Sequence, residues 1–378
     1  MELNGKDKMG AHQSGPKPVV GDPESAAQAF AIEGEFGGAE PYGSGHINDS
    51  YYTVFQRNGS QSRYLLQRIN HDIFKNPVML MENIERVTGH LGAQVSDHPD
   101  RDRRVLTLIP VRTGGVLHVD AEGNYWRAYH FIDEAKTYNA VESADQAYQA
   151  GKAFGEFQRM LADLPSPRLH DTIPDFHHTP KRFAALERAI AADVAGRVAL
   201  AGPEIEFAMK RKALASALVD AGLPERVTHN DTKINNVLLD DATGEGTCVI
   251  DLDTVMPGLA AYDFGDMVRT ATCPAPEDEV DLSKVEMEFP LFEALARGYM
   301  TSAGGFLTAA EKESLTVGGM LITFEISIRF LTDYLSGDTY FKVHREGHNL
   351  DRARSQFKLL ESIEQQEERI RALLHFLS

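Results

Sequence analysis

The apolar pattern of this chain changes period near residue 132, and that change restricts its fold more than any other feature. Before it, the sequence reads mainly as strands. Tyr51-Tyr52-Thr53-Val54-Phe55 is aromatic and β-branched, Asn58-Gly59 is a strong hairpin-turn signal, and 63–69 reads as the returning strand. Two further strands are expected at 105–111 and 126–131, with Asn124 near the turn between them. Residues 24–36 have helical spacing. Pro77 opens a helix through about Leu91, with Met81, Ile84, Val87 and Leu91 as its apolar stripe. After residue 132 helical patterns dominate, at 146–164, 203–221, 281–300, 309–335 and 351–377, and Thr179-Pro180 reads as an N-cap followed by Pro at the first helical position. This predicts an α+β chain: a flexible tail over 1–22, a small mainly antiparallel sheet over 23–132, and a larger helical part over 133–378. A length of 378 residues is enough for two lobes with a cleft between them.

One loop inside the helical part carries the chemistry. It reads Thr228-His229-Asn230-Asp231-Thr232-Lys233-Ile234-Asn235-Asn236, and Val249-Ile250-Asp251 follows. An Asp, a Lys two residues later, an Asn five residues later and a strand-terminal Asp suit phosphoryl transfer. A carboxylate orients the attacking hydroxyl, a cation meets phosphate charge, and amide and carboxylate oxygens hold Mg²⁺. A hairpin centred between Thr243 and Gly244 would place Asn236 opposite Asp251, with Asp231 just upstream. A lone H-x-D pair would be unremarkable polar surface; the whole set is far more specific. His229 is expected to brace the loop backbone. Asp263-Phe264-Gly265 spells a tripeptide familiar from protein kinases, but it lies too far downstream to end the hairpin. Asp263 is expected to tie down the loop, and Asp253 to stand behind Asp251 or to serve as an alternative or bridging ligand.

Composition narrows the partners. The formal charge is −18, which disfavours nucleic acid and anionic membrane surfaces. Cys248 and Cys273 are the only cysteines; Cys248 lies in an apolar strand pattern and reads as core, and no disulfide framework is expected. No apolar run reaches the roughly 18 residues of a spanning helix. A cytoplasmic setting is expected.

The loop, the Val249-Ile250-Asp251-Leu252-Asp253 run and Tyr262-Asp263-Phe264-Gly265-Asp266 resemble the aminoglycoside-phosphotransferase-like kinases, and within them the bacterial N-acetylhexosamine 1-kinases. Tyr42-Gly43-Ser44-Gly45-His46-Ile47-Asn48, Thr179 to Phe183, and Arg329 through Phe341 carry the same resemblance, which spans roughly residues 25–370. It implies a bilobed protein-kinase-like fold, ATP and Mg²⁺ as cofactors, and N-acetylglucosamine or N-acetylgalactosamine as the sugar phosphorylated at its anomeric hydroxyl. By position, Asp231 would be the base, Asn236 and Asp251 the metal ligands, and Arg329, Tyr340 and His46 parts of the sugar pocket. Gly43 and Gly45 would let backbone approach the nucleotide phosphates. One departure stands out. The strand that should carry an ATP-anchoring Lys reads Leu66-Gln67-Arg68-Ile69, which leaves Arg68 as the nearby cation and Glu85, or Glu82, as its helix partner. Arg329 also has an ordinary reading, an ion pair with Glu325 four residues earlier. The alternatives in function are another small hydroxyl acceptor on the same scaffold, or a nucleotide-binding interaction module without turnover.

Overall fold

The computed structural model describes residues 21–43 and 47–378. Most of the expected tail, together with Gly45 and His46, lies outside them. Contacts group the chain into two compact units: residues up to Pro77 with Thr107–Phe131, and Val78–Leu106 with Ile132–Ser378.

The first unit is built on an antiparallel sheet of β1 (Glu35–Pro41), β2 (Asp49–Arg57), β3 (Ser60–Ile69), β4 (His118–Val119) and β5 (Tyr125–His130), in the order β1-β2-β3-β5-β4. Arg57 pairs with Ser60 across the two-residue turn Asn58-Gly59. Both turn residues have positive φ, 51° and 81°, the backbone that matches the twist of the flanking strands. Tyr51, Thr53 and Phe55 alternate inward along β2. Tyr51 and Phe55 join Tyr64, Leu66, Trp126 and Phe30 in one apolar core.

Two expectations for this unit are corrected. Residues 24–36 are not one helix. A short helix, Pro23–Gln28, is capped by the Asp22 carboxylate, which accepts from Glu24 N and Ser25 N at 3.1 Å, and Gly34 at φ 111° then leads the chain into β1. Residues 105–111 are not a continuous strand. Thr107 O and Ile109 N bond to β5, but Pro110 has no N–H to continue the ladder, so only isolated bridges form at Leu108 and Val111.

The Pro77–Gln94 helix groups almost wholly with the second unit, although the sequence reading put it on the N-terminal side. Buried Asn83 explains this. Its side chain donates to His170 O at 2.8 Å and Val255 O at 3.1 Å, and accepts from His170 N at 2.9 Å. Arg86 adds bonds to Pro165 O and Pro167 O.

The second unit is organised around the Ala309–Leu335 helix, buried around most of its circumference against Ala260–Ala271, His348–Gln365 and Thr179–Ala192. Contrary to the sequence reading, this helix is long and apolar enough to cross a membrane; 78 % of its apolar window is buried inside the protein, as in a core helix. Other helices shift at their ends. The 203–221 pattern breaks after Lys210 into 3-10 turns, the 281–300 helix starts only at Phe289, and the last helix begins at His348 and breaks at Gln366.

Glycines set the closest helix approach. A Cβ at Gly265 would sit 2.2 Å from Gly318 O, and one at Gly318 would sit 2.3 Å from Ala261 O. In an open helix Gly→Ala would gain about 1 kcal/mol. Here overpacking against a backbone carbonyl should win, at a cost of about 1–3 kcal/mol. Gly265→Ala is therefore expected to lower the melting temperature in a thermal scan; a rise would show that the two helices do not touch at this point.

Candidate active site

The loop that carries Asp231 leaves β7 (Arg226–Thr228), which pairs antiparallel with β10 (Met256–Gly258). Arg226 anchors the start of β7 with two hydrogen bonds to Glu311, at 2.8 and 2.9 Å. Glu311 also forms the capping box of the Ala309–Leu335 helix with Thr308. One buried carboxylate thus holds both the strand and the helix start.

Asp263 holds the loop from below. Its Oδ2 accepts from His229 N at 2.9 Å and from Gln158 Nε2 at 2.6 Å, and its Oδ1 accepts from Asn230 N at 2.7 Å. The Thr232 hydroxyl donates to Asp263 O at 2.6 Å, and Tyr299 donates to Gln158 Oε1 at 2.6 Å. Burial pushes the Asp263 carboxyl up in pKa against the pull of these donors and of His229. The expected tie beneath the loop is therefore present.

His229 acts on the backbone, as expected. Its Nε2 donates to Ile250 O at 2.9 Å, its Nδ1 accepts from Asp231 N at 3.3 Å, and Phe154 and Phe157 flank the ring edge-on. Asn230 takes the left-handed conformation at φ 64°, and its amide donates to Thr254 O at 2.9 Å.

Asp231, Lys233 and Asn236 meet. Lys233 Nζ lies 3.0 Å from Asp231 Oδ1. Asn236 Nδ2 donates to Asp231 O at 2.8 Å and to Asp231 Oδ2 at 3.2 Å. This orientation leaves the Asn236 amide oxygen, the atom a metal would take, without a hydrogen bond among the described residues. Desolvation, the largest single effect, works to raise the Asp231 pKa, but the Lys233 ammonium together with His229 and Arg269 holds the carboxyl below its ordinary value. Asp231 in turn raises Lys233 against desolvation. Both side chains keep access to solvent, 28 % for Asp231 and 41 % for Lys233.

The hairpin register differs from the expected one. In the sheet of β6 (Ala135–Lys136), β8 (Val237–Asp240) and β9 (Gly246–Val249), Val237 pairs with Val249 and Leu238 with Cys248 before a bulge. Asn236 therefore stands opposite Ile250, whose N–H donates to Asn236 O at 2.9 Å. The turn is the cause. Asp240 Oδ1 caps Ala242 N and Thr243 N, and Asp240 N closes on Glu245 O, so the symmetric centre assumed from sequence is lost. Asp251 falls just beyond the strand, exposed and left-handed at φ 59°. It adjoins the Asn236–Ile250 bridge rather than facing Asn236 across it. An amide oxygen and an exposed carboxylate at one hairpin end fit Mg²⁺, which takes few protein ligands and keeps the rest for water and phosphate. No group of three His, Cys, Asp or Glu side chains suited to a metal occurs among the described residues.

The remaining expected residues are spread more widely. Arg329 lies over the rings of Phe176 and Phe341, 5.6 Å from each centroid, and Tyr340 is 68 % exposed beside Phe341. The ordinary Glu325–Arg329 pairing does not hold, because Glu325 is taken by His177 and Thr179. That use of Thr179 also corrects the helix start: His178, not Thr179, caps Lys181 N. Arg68 is engaged within its own unit, with Nε 3.0 Å from Asp49 Oδ2 and Nη1 3.2 Å from Asn124 Oδ1. Glu85 is exposed and has no ion pair among the described residues, and Glu82 meets His170 at 2.7 Å. Gly43 is an exposed turn residue at φ 78°. Arg269 pairs with Asp266 at 2.9 Å and Glu277 at 2.7 Å. Sequence reasoning missed the roles of Gln158, His177, Asn230, Tyr299 and Glu325. Only Asn230, a residue type tolerant of positive φ inside a polar loop, offered a signal.

Residues 38–298, well over half of the chain, match the phosphotransferase enzyme family known as APH. The chain belongs to that family and is a phosphotransferase. Its fold is similar to that of solved kinases at low identity. An aminoglycoside phosphotransferase from Alicyclobacillus acidocaldarius superposes with a TM-score of 0.61 at 12 % identity, covering 95 % of this chain and 99 % of that one. A microcompartment-associated aminopropanol kinase gives 0.56 at 16 % identity, covering 92 % and 97 %. The spectinomycin phosphotransferase APH(9)-Ia, in complex with ADP and spectinomycin, gives 0.53 at 13 % identity, covering 93 % and 100 %.

The Asp231–Lys233 contact makes a pH prediction. A carboxyl with a depressed folded pKa is ionised above that value and loses its charge as pH falls through it. Lys233→Met removes the largest opposing effect and leaves desolvation to raise Asp231. The acid limb of the pH–rate profile should therefore move to higher pH in this variant. An unmoved limb would show that Asp231 does not govern it.

Proposed function

We propose that this phosphotransferase is a small-molecule kinase that uses ATP and Mg²⁺ to phosphorylate the anomeric hydroxyl of an N-acetylhexosamine, giving the sugar 1-phosphate. The observation that carries the reading is the contact of Asp231 with both Lys233 and Asn236. Asp231 accepts a hydrogen bond from the acceptor hydroxyl and aims its oxygen for in-line attack. A carboxylate held below its ordinary pKa is a weak base, so it orients first and takes the proton late, as a loose transition state requires. Lys233 places its ammonium where phosphate charge builds up. Asn236 Oδ1 and the Asp251 carboxylate would hold Mg²⁺, which supplies charge neutralisation on the phosphate oxygens when bound. The spectinomycin enzyme of similar fold is described with ADP bound, which suits a nucleotide donor.

On the acceptor side, Arg329, Tyr340 and His46 are the residues assigned by resemblance. Arg329, set over two aromatic rings beside exposed Tyr340, offers donors and apolar faces of the kind that hydroxyl-rich rings use. The net charge of −18 favours a second reading, in which the acceptor is a cationic amino alcohol or aminoglycoside. The local charge works against it: burial, and then the neighbouring Arg329, hold Arg182 below the ordinary arginine pKa. Two neighbouring guanidinium charges would repel an ammonium group.

The test is mass spectrometry of products after incubation with ATP, Mg²⁺ and a panel of hexosamines, amino alcohols and aminoglycosides. A hexosamine 1-phosphate is expected; phosphorylation confined to the amines would establish the second reading instead. Asp231→Asn should lower turnover by about a hundredfold or more while ATP binding persists in calorimetry. Wild-type turnover in that variant would remove Asp231 from the mechanism.

A further inference from the structure

Beneath the loop lies a buried pair that the chemistry above does not use. The side chains of His177 and Glu325 are 4 % and 0 % exposed, and His177 Nδ1 lies 2.9 Å from Glu325 Oε1. The second carboxylate oxygen accepts the Thr179 hydroxyl at 2.6 Å. The second ring nitrogen, Nε2, lies 3.2 Å from the Asn230 carbonyl oxygen. A neutral imidazole has one N–H and would leave the other nitrogen's lone pair facing an oxygen. The imidazolium satisfies both contacts. Burial opposes the carboxylate form of Glu325, but His177, then Arg329 one turn along the same helix and the Thr179 hydroxyl, outweigh it and hold the carboxyl below its ordinary value.

We propose that His177 is a positioning residue of the phosphoryl-transfer site: held as an imidazolium by Glu325, it fixes the Asn230 carbonyl and so sets the direction in which Asp231 leaves the loop. The inference rests on the reading of Asp231 given above. The Asn230 carbonyl and the Asp231 N–H belong to one peptide plane. His177 Nε2 holds its oxygen, and His229 Nδ1 receives its N–H at 3.3 Å. Two histidines therefore clamp the peptide that introduces Asp231, next to a residue in the left-handed conformation. Glu325 precedes Arg329 by one helical turn, so the same pair ties that peptide to the helix carrying the arginine assigned to the acceptor.

The surroundings fix the sign of the pH response. Phe176 lies 4.7 Å and Tyr262 5.2 Å from the ring of His177, between centroids. The titratable and charged groups around the pair are Tyr262 and Asp266 on Ala260–Ala271, which act on His177, and Arg329 on the Ala309–Leu335 helix and Arg182 on Thr179–Ala192, which act on Glu325. Burial alone would lower the pKa of His177; Glu325, and then Asp266, outweigh it and raise it. A raised histidine pKa means that the charged form is present below it and is lost as pH rises through it. The proton lost is the one on Nε2, because the Nδ1 proton stays with the carboxylate. The Asn230 carbonyl then loses its donor.

Two readouts on the full chain test the proposal. The first is ¹⁵N NMR of histidine-labelled protein at pH 7 without substrate, with the His177 signals assigned by their loss in His177→Gln. Both ring nitrogens should be protonated; a neutral ring overturns the proposal. Because no substrate is present, that failure is distinct from failure to find an acceptor. The second is the pH dependence of kcat for wild type, His177→Ala, His177→Gln and Glu325→Gln. His177→Ala should lower kcat about tenfold or more, with KM for ATP changed less than about twofold. His177→Gln, whose amide N–H can reach the Asn230 carbonyl, should recover part of that loss. Glu325→Gln permits a neutral His177 with Nε2–H still donating and Nδ1 accepting from the amide, so the alkaline limb seen in wild type should disappear. If His177→Ala does not fold, the other two variants carry the test. Wild-type kcat in a folded His177→Ala protein, a His177→Gln kcat no higher than that of His177→Ala, or an alkaline limb unchanged in His177→Gln or Glu325→Gln, overturns the proposal.

Discussion

The Asp263 carboxylate accepts two consecutive backbone N–H groups, those of His229 and Asn230, inside the helical unit. A buried carboxylate without partners would cost several kcal/mol, and each charge-assisted hydrogen bond returns about 1.5–3 kcal/mol. Asp263 is therefore stable in place only while the loop keeps its shape, and the loop keeps its shape only while Asp263 is present. Gln158 and Tyr299 extend this dependence into the helices behind. From this fixed base the chain can present Asp231 and Lys233 to solvent without losing their geometry.

The strained backbone lies on either side of Asp231, Lys233 and Asn236. Asn230 and Asp251 both hold positive φ, at about 1–3 kcal/mol each for such conformations. Asn230 is held by its amide bond to Thr254, by Asp263 on its N–H and by His177 on its carbonyl. Strain that is so thoroughly over-determined belongs to a site where side-chain direction matters more than local stability. Asp251 turns out of β9 at the point where an exposed carboxylate can stand beside the Asn236 amide oxygen.

Much of this was legible from sequence, for physical reasons. Asn58-Gly59 can hardly do anything but turn, and the strands around it followed. The set Asp231, Lys233 and Asn236 is local, so spacing alone brought it together. What failed was what depends on a single residue of offset or on distant partners. The Asp240 side chain reshaped the turn so that it closes two residues off the assumed register, and the bulge after Leu238 recovers only one of them, which leaves Asn236 opposite Ile250 instead of Asp251. Pro110 interrupted an apparent strand. Arg68 looked like a free cation but is bound to Asp49 and Asn124, and Glu325 looked like a partner for Arg329 but serves His177 from 148 positions away. No periodicity in the chain encodes a contact of that separation.

The central claim is that the Asp263-anchored loop and the hairpin end make one site for phosphate and metal. The most direct measurement is a crystal structure with a non-hydrolysable ATP analogue and Mg²⁺. One ion is expected with Asn236 Oδ1 and an Asp251 carboxylate oxygen each at about 2.1 Å, the ordinary Mg–O distance. An ion bound to the nucleotide with neither residue in its coordination shell would contradict it.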